Sequence, residues 1–230
     1  MEAKEDIVML YYIVFILAGY LLGGILFAPI FGRMLKKRDI LAETKDGNPG
    51  TANAFMEGGP LCGTLTLVCD MGKGFLPVFL CRCLERPLGE LLWRPGEWLW
   101  RGRPEIISTL GMALVLLAPV LGHNFSVYHH FQGGKGIATS FGCLLGYWPD
   151  LSPALLLAAI FLLFSLVIRI SPHFYRTLGT YVCGAGMFFV WGETLALKLG
   201  FLFISIAVCV RMHLSTEERK KCNVRLLWMH

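Results

Sequence analysis

Seven apolar runs divide the chain, at Ile7–Phe31, Leu61–Cys83, Ile106–Leu121, Ile137–Trp148, Leu151–Ile170, Leu178–Trp191 and Leu195–Val210. A helix that crosses the hydrocarbon core of a bilayer needs about 20 mainly apolar residues, and several of these runs approach or exceed that length. Inside lipid every backbone polar group has to be satisfied within the protein, so such runs form helices. The pattern predicts an all-α, polytopic transmembrane bundle of about seven helices, the fourth and sixth short. They form one integral membrane domain over residues 1–230. The first run is too long and too interrupted by Tyr and Gly for a cleaved signal peptide. It also lacks a basic lead-in and a small-residue cleavage site, so it is expected to stay as the first helix.

The polar segments between the runs set the orientation. Arg33, Lys36, Lys37, Arg38 and Lys45 place the first loop in the cytoplasm, with the acidic start Glu2–Asp6 outside. Counting helices then puts Lys135, Arg169, Arg176 and the basic tail Arg211–Arg225 on the cytoplasmic side too. Residues 82–103 hold five arginines but fall on the outer side. Their three glutamates and the tryptophans Trp93, Trp98 and Trp100 suggest an amphipathic stretch lying in the interface.

Composition agrees with a membrane protein: 55% hydrophobic and 16% charged residues is far from the balance of a soluble domain. The net charge of +5 reports basic cytoplasmic loops, so the expected partner is the lipid bilayer and not nucleic acid. Of the eight cysteines, Cys69, Cys143, Cys183 and Cys209 sit in apolar runs. Only Cys81 and Cys83 are close together, with no second pair to make a zinc site. Neither a metal cluster nor a nucleotide fingerprint is present, and no cofactor is expected.

Three polar elements carry the candidate chemistry. Gly122–Thr139 contains Gly133-Gly134-Lys135-Gly136, where glycines let backbone N–H groups turn toward an anion and a lysine adds a point charge. It is not a nucleotide P-loop, because Gly136 follows the lysine and His129 stands where that motif begins with glycine. The second run holds Asp70-Met71-Gly72-Lys73-Gly74, whose acid and base at i, i+3 share one helix face and can pair. Ionisable groups inside a membrane helix are costly and mark functional or structural ion pairs. The first loop contains Asp46-Gly47-Asn48-Pro49-Gly50-Thr51-Ala52-Asn53, a tight turn rich in backbone donors.

In this order the three elements resemble the bacterial acyl-phosphate:glycerol-3-phosphate acyltransferases of the PlsY type. That family shows S-G-N-x-G-A-T-N-x-x-R, then D-x-x-K-G, then G-H-x-F-x-x-F-x-G-G-K-G-x-A-T. The third motif matches here almost residue for residue. In the first, the serine is Asp46, A-T-N reads Thr51-Ala52-Asn53, and the arginine falls at Met56. Lys45, Lys36 or Arg38 would have to substitute for that arginine, or the acceptor differs. The family's tail motif survives as Asn223-Val224-Arg225-Leu226-Leu227, and its serine near the sixth helix corresponds to Thr177 or Thr180.

The resemblance implies acyl transfer from acyl phosphate to the 1-hydroxyl of glycerol 3-phosphate, at the cytoplasmic face of a bacterial membrane. It implies that Lys135 and the amides of Gly133, Gly134 and Gly136, with Thr139, hold the acyl phosphate. Gly47, Asn48, Gly50 and Asn53 would organise the acceptor side. Asp70, Lys73 and His123 join Lys135 as candidate catalytic residues, with either His123 or a substrate phosphate oxygen as the base. Acyl phosphate carries a good leaving group, so positioning and charge stabilisation matter more than a strong base. The other acyltransferase signature, H-x-x-x-x-D, is absent, since Tyr128 occupies the aspartate position. Two further readings are a membrane transporter for an organic phosphate and a family member acylating a different polyol phosphate.

Overall fold

The first apolar run is divided into two helices in the computed structural model, which describes residues 2–36, 44, 48–92, 105–215 and 221–226. Helix α1 (Glu2–Gly23) ends at a glycine pair, and the Gly24 amide closes its last turn on Tyr20 O at 3.0 Å. Helix α2 (Phe27–Lys36) is short and amphipathic, burying Ala28, Pro29 and Gly32 while exposing Ile30 and Met34.

Helix α3 (Thr51–Leu92) is broken at Gly59, whose φ of 81° and ψ of 178° lie outside the helical region and suit glycine. The break folds the first two turns back. In an unbroken helix Thr51 and Asp70, 19 residues apart, would be separated by about 28 Å. Instead the Thr51 hydroxyl lies 3.4 Å from Asp70 Oδ2. The first-loop turn is thereby brought onto the charged pair of the second run.

Helix α4 (Glu105–Asn124) is central and packs against α1, α3, the short helix α5 (Ile137–Leu145) and the last helix α8 (Leu195–Leu214). Small residues set how closely α1 and α4 approach: a side chain at Gly23 would strike the Pro119 carbonyl, and one at Gly122 the Tyr20 carbonyl. Helix α6 (Ser152–Leu162) continues into a π-type turn at Leu163–Val167. Strand β1 (Ile170–Ser171) then leads into α7 (His173–Trp191). A second two-residue strand, β2 (Asn223–Val224), pairs antiparallel with β1, Ser171 opposite Asn223. The buried centre is built from Val115, Leu116, Leu144, Leu157 and Ile204, with Phe201 stacked between Phe188 and Tyr181.

All seven apolar runs are helical, and among the described residues four segments are long and apolar enough to cross a membrane: 3–35, 51–85, 106–129 and 195–214. The chain is thus a polytopic helical membrane protein. The fourth run is short as expected: nine residues rise about 14 Å, under half the hydrocarbon thickness of about 30 Å. The sixth is longer than hydropathy suggests. Helix α7 starts at His173, because Arg176 and Thr177 interrupt the apolar pattern without interrupting the helix. The tryptophan-rich 93–104 segment lies outside the described residues, as do Arg38, Lys45, Asp46, Gly47 and the Lys36 side chain.

Candidate active site

Asp70 and Lys73 sit one turn apart on α3, with 1% and 3% of their surface exposed. Their ion pair is 2.8 Å long, as the i, i+3 spacing predicts. The Lys73 ammonium has three protons to donate, and three acceptors surround it. These are Asp70 Oδ1, the Ile25 carbonyl at 2.6 Å and His123 Nδ1 at 2.8 Å. A protonated lysine donates only, so His123 accepts at Nδ1 and its neutral ring carries the proton on Nε2. Asp70 also lies 3.9 Å from His123 Nδ1. One buried lysine therefore ties together the α1–α2 junction, α3 and the end of α4.

The glycine-lysine loop is built directly on that histidine. The Gly134 amide donates to the His123 carbonyl at 2.9 Å. A side chain at Gly134 would overlap His123 Nε2, so the protonated nitrogen faces the loop backbone. Gly136 has a left-handed φ of 77° and stands at the N-cap of α5. A side chain there would strike Asn124 Oδ1. Lys135, between them, is 8% exposed. The lead-in is pinned to α1, with Ser126 Oγ donating to Gly24 O at 2.6 Å and Tyr20 OH to Phe125 O at 2.8 Å. His130 and Phe131 both hold left-handed φ values, 52° and 60°, an unusual strain for two non-glycine neighbours.

Helix α5 then runs from the loop against α3, close enough that Gly74 faces the Thr139 carbonyl and Gly142 the Met71 carbonyl. Thr139 is fully buried, one turn into α5, and its hydroxyl has no hydrogen-bond partner among the described residues. On the first-loop side, Asn53 is buried and donates from Nδ2 to the Asn48 carbonyl at 2.8 Å, while the Gly50 carbonyl accepts from the Ala54 amide. These bonds shape the turn that enters α3.

A family model for glycerol-3-phosphate acyltransferase matches residues 13–221 of this geometry's chain. The chain belongs to the glycerol-3-phosphate acyltransferase family. The glycerol-3-phosphate acyltransferase of Pseudomonas aeruginosa strain PAO1 is 38% identical over 140 residues, 61% of each chain. That of Albidiferax ferrireducens is 35% identical over 176 residues, covering 74% of this chain and 70% of the relative. The match thus spans about three-fifths of the Pseudomonas relative's length. Two crystal structures of PlsY, an integral membrane glycerol 3-phosphate acyltransferase, share the fold. Its glycerol 3-phosphate form gives a TM-score of 0.66 over 88% of both chains, and its lysophosphatidic acid form 0.64 over 87%, each at 22% identity.

The structure brings Asp70, Lys73, His123, Gly133, Gly134, Lys135, Gly136 and Thr139 together, with Thr51 joining the first loop to them. Other candidates lie apart from that network. The Thr177 hydroxyl bonds to His173 Nδ1 at 3.2 Å and that of Thr180 to the Arg176 carbonyl at 2.9 Å, both within α7. Asn223 is exposed on β2, beside the start of α7. Met56, set against an arginine by the motif resemblance, is 70% exposed. Gly47 lies outside the described residues. The residue that sequence reading missed is Arg211, assigned to a basic tail. It sits in the last turn of α8 with its guanidinium on the Gly133 and Gly134 carbonyls. Among the described residues there is no cluster of three or more metal-ligating side chains.

Proposed function

We propose that this acyltransferase moves a fatty acyl group from acyl phosphate to the 1-hydroxyl of sn-glycerol 3-phosphate, giving lysophosphatidic acid and inorganic phosphate. The observation that carries the reading is the glycine-lysine loop seated on a histidine whose Nδ1 is occupied by Lys73. In the reaction the acceptor hydroxyl oxygen attacks the acyl carbon, the bond from that carbon to the phosphate oxygen breaks, and phosphate departs. Lys135 supplies the positive charge for the leaving phosphate, with loop amides other than that of Gly134, which is bonded to His123 O. His123 turns Nε2 onto Gly134 and so steadies the loop that holds the phosphate. The hydroxyl proton passes to a phosphate oxygen of the donor, which leaves as hydrogen phosphate. The Asn48–Asn53 turn, drawn in by the Thr51–Asp70 contact, holds the acceptor.

A loop of four residues with one lysine suits a compact phosphate, whereas a thioester of coenzyme A or of acyl carrier protein carries a bulky leaving group. At equal chain length, acyl phosphate is expected to support turnover and both thioesters are not. Phosphate release coupled to a mass-spectrometric search for acylated polyol phosphates reads the result. Efficient use of acyl-CoA overturns the donor. Phosphate release without an acylated acceptor overturns the transfer and indicates a hydrolase. We place the loop at the cytoplasmic face on the loop-charge argument. A cysteine introduced at Gln132 that reacts with an impermeant reagent from outside would reverse that orientation.

A further inference from the structure

Arg211 reaches from the last turn of α8 to the loop between α4 and α5. Its Nη2 donates to the Gly133 carbonyl at 2.5 Å and its Nε to the Gly134 carbonyl at 3.2 Å. These are consecutive peptides of the segment that would face a phosphate. A carbonyl oxygen turned toward an anion repels it, whereas an N–H attracts it. In a planar trans peptide the C=O of one residue and the N–H of the next point in opposite directions. Fixing the Gly133 oxygen on the guanidinium therefore turns the Gly134 N–H to the opposite side. It is found there, on His123 O at 2.9 Å. Fixing the Gly134 oxygen in the same way turns the Lys135 N–H away from Arg211.

The loop needs such a device because it is mostly glycine. Residues without a Cβ flip their peptides at little steric cost, so three glycines within four positions impose no preferred direction on their donors. A guanidinium is a rigid fork that can hold two carbonyls at once, while an ammonium offers only a point charge.

We propose that Arg211 is a positioning residue. It clamps the Gly133 and Gly134 carbonyls so that the Gly134 amide stays anchored on His123 O and the loop turns the Lys135 amide and side chain, and not peptide oxygens, toward a phosphate. The role rests on the loop being the phosphate site of the proposed reaction, and the test separates the two ideas by measuring phosphate binding without turnover.

The full-length protein in lipid nanodiscs, as wild type, Arg211→Ala and Arg211→Lys, would be followed by two measurements. The first is the saturable rise in thermal midpoint at low millimolar inorganic phosphate, too dilute for its general salting-out effect, so that binding is what stabilises. The second is KM and kcat for acyl phosphate and for glycerol 3-phosphate. Arg211→Ala is expected to weaken apparent phosphate affinity and raise KM for acyl phosphate by about tenfold or more, the scale of losing a charge-assisted contact. The KM for glycerol 3-phosphate should move less. Arg211→Lys should recover only part of the loss, and added ethylguanidinium should restore Arg211→Ala toward wild type. A wild type that responds to phosphate without turning over acyl phosphate sinks the donor reading, and loss of that response in Arg211→Ala still supports the clamp. Three results overturn the clamp: a wild type that phosphate does not stabilise, an Arg211→Ala protein with unchanged phosphate response and KM, or equal losses for both substrates that guanidinium does not rescue.

Discussion

Lys73→Met is expected to be among the most damaging single substitutions in this chain. The side chain is similar in length, so the cavity left is small, but Asp70 keeps its carboxylate with no counter-charge in a site that is almost fully buried. Removing one partner of a buried ion pair typically costs about 3–5 kcal/mol, much more than the pair itself contributes. The loss extends beyond the ion pair, since Ile25 O and His123 Nδ1 surrender their donor at the same time. Thermal inactivation in detergent should shift strongly downward, and acyl transfer should fall with it as His123 loses its fixed tautomer. The double variant Asp70→Asn/Lys73→Met removes the stranded charge and should regain much of the stability while staying inactive. Equal stability of the single and double variants would show that the pair is not what holds these helices together.

The second large effect concerns the loop, where two neighbouring substitutions should separate chemistry from packing. Lys135→Ala is expected to abolish acyl transfer with little change in thermal stability. Loss of a charge-assisted hydrogen bond to phosphate costs about 1.5–3 kcal/mol in binding alone, and more where charge grows in the transition state. Gly134→Ala should remove activity and stability together. Its methyl would overlap His123 Nε2, and the ring cannot retreat because Lys73 holds its other nitrogen. Steady-state rates beside melting curves read both outcomes. A Lys135→Ala enzyme that retains most of its rate would take this lysine out of the site, and a fully stable Gly134→Ala protein would mean the loop does not rest on His123.

Much of this arrangement is readable in the sequence because lipid makes the signals strong. Apolar runs long enough to span a bilayer are hard to mistake, and an aspartate three residues before a lysine within one has few partners but the lysine. The glycine-lysine loop stands out by its spacing. The division of the first run is less legible, since Gly23-Gly24 inside an apolar stretch looks like the small-residue packing common in membrane helices. The fold-back at Gly59 depends on one positive φ, which hydropathy does not register. Arg211 was the hardest to see. Its acceptors are backbone oxygens of residues 77 and 78 positions earlier, and a carbonyl offers no side-chain identity to pair with.

The three-way contact of Lys73 also has a consequence for how the chain is made. His123 follows Lys73 by 50 residues, so at synthesis rates of about 5–20 residues per second it emerges roughly 3–10 s later. During that interval α3 meets the bilayer with a lysine whose histidine partner does not yet exist. Asp70, on the same helix, is already there. An acid that travels with its base lets the segment enter lipid as a neutral pair, and the histidine completes the arrangement when α4 arrives.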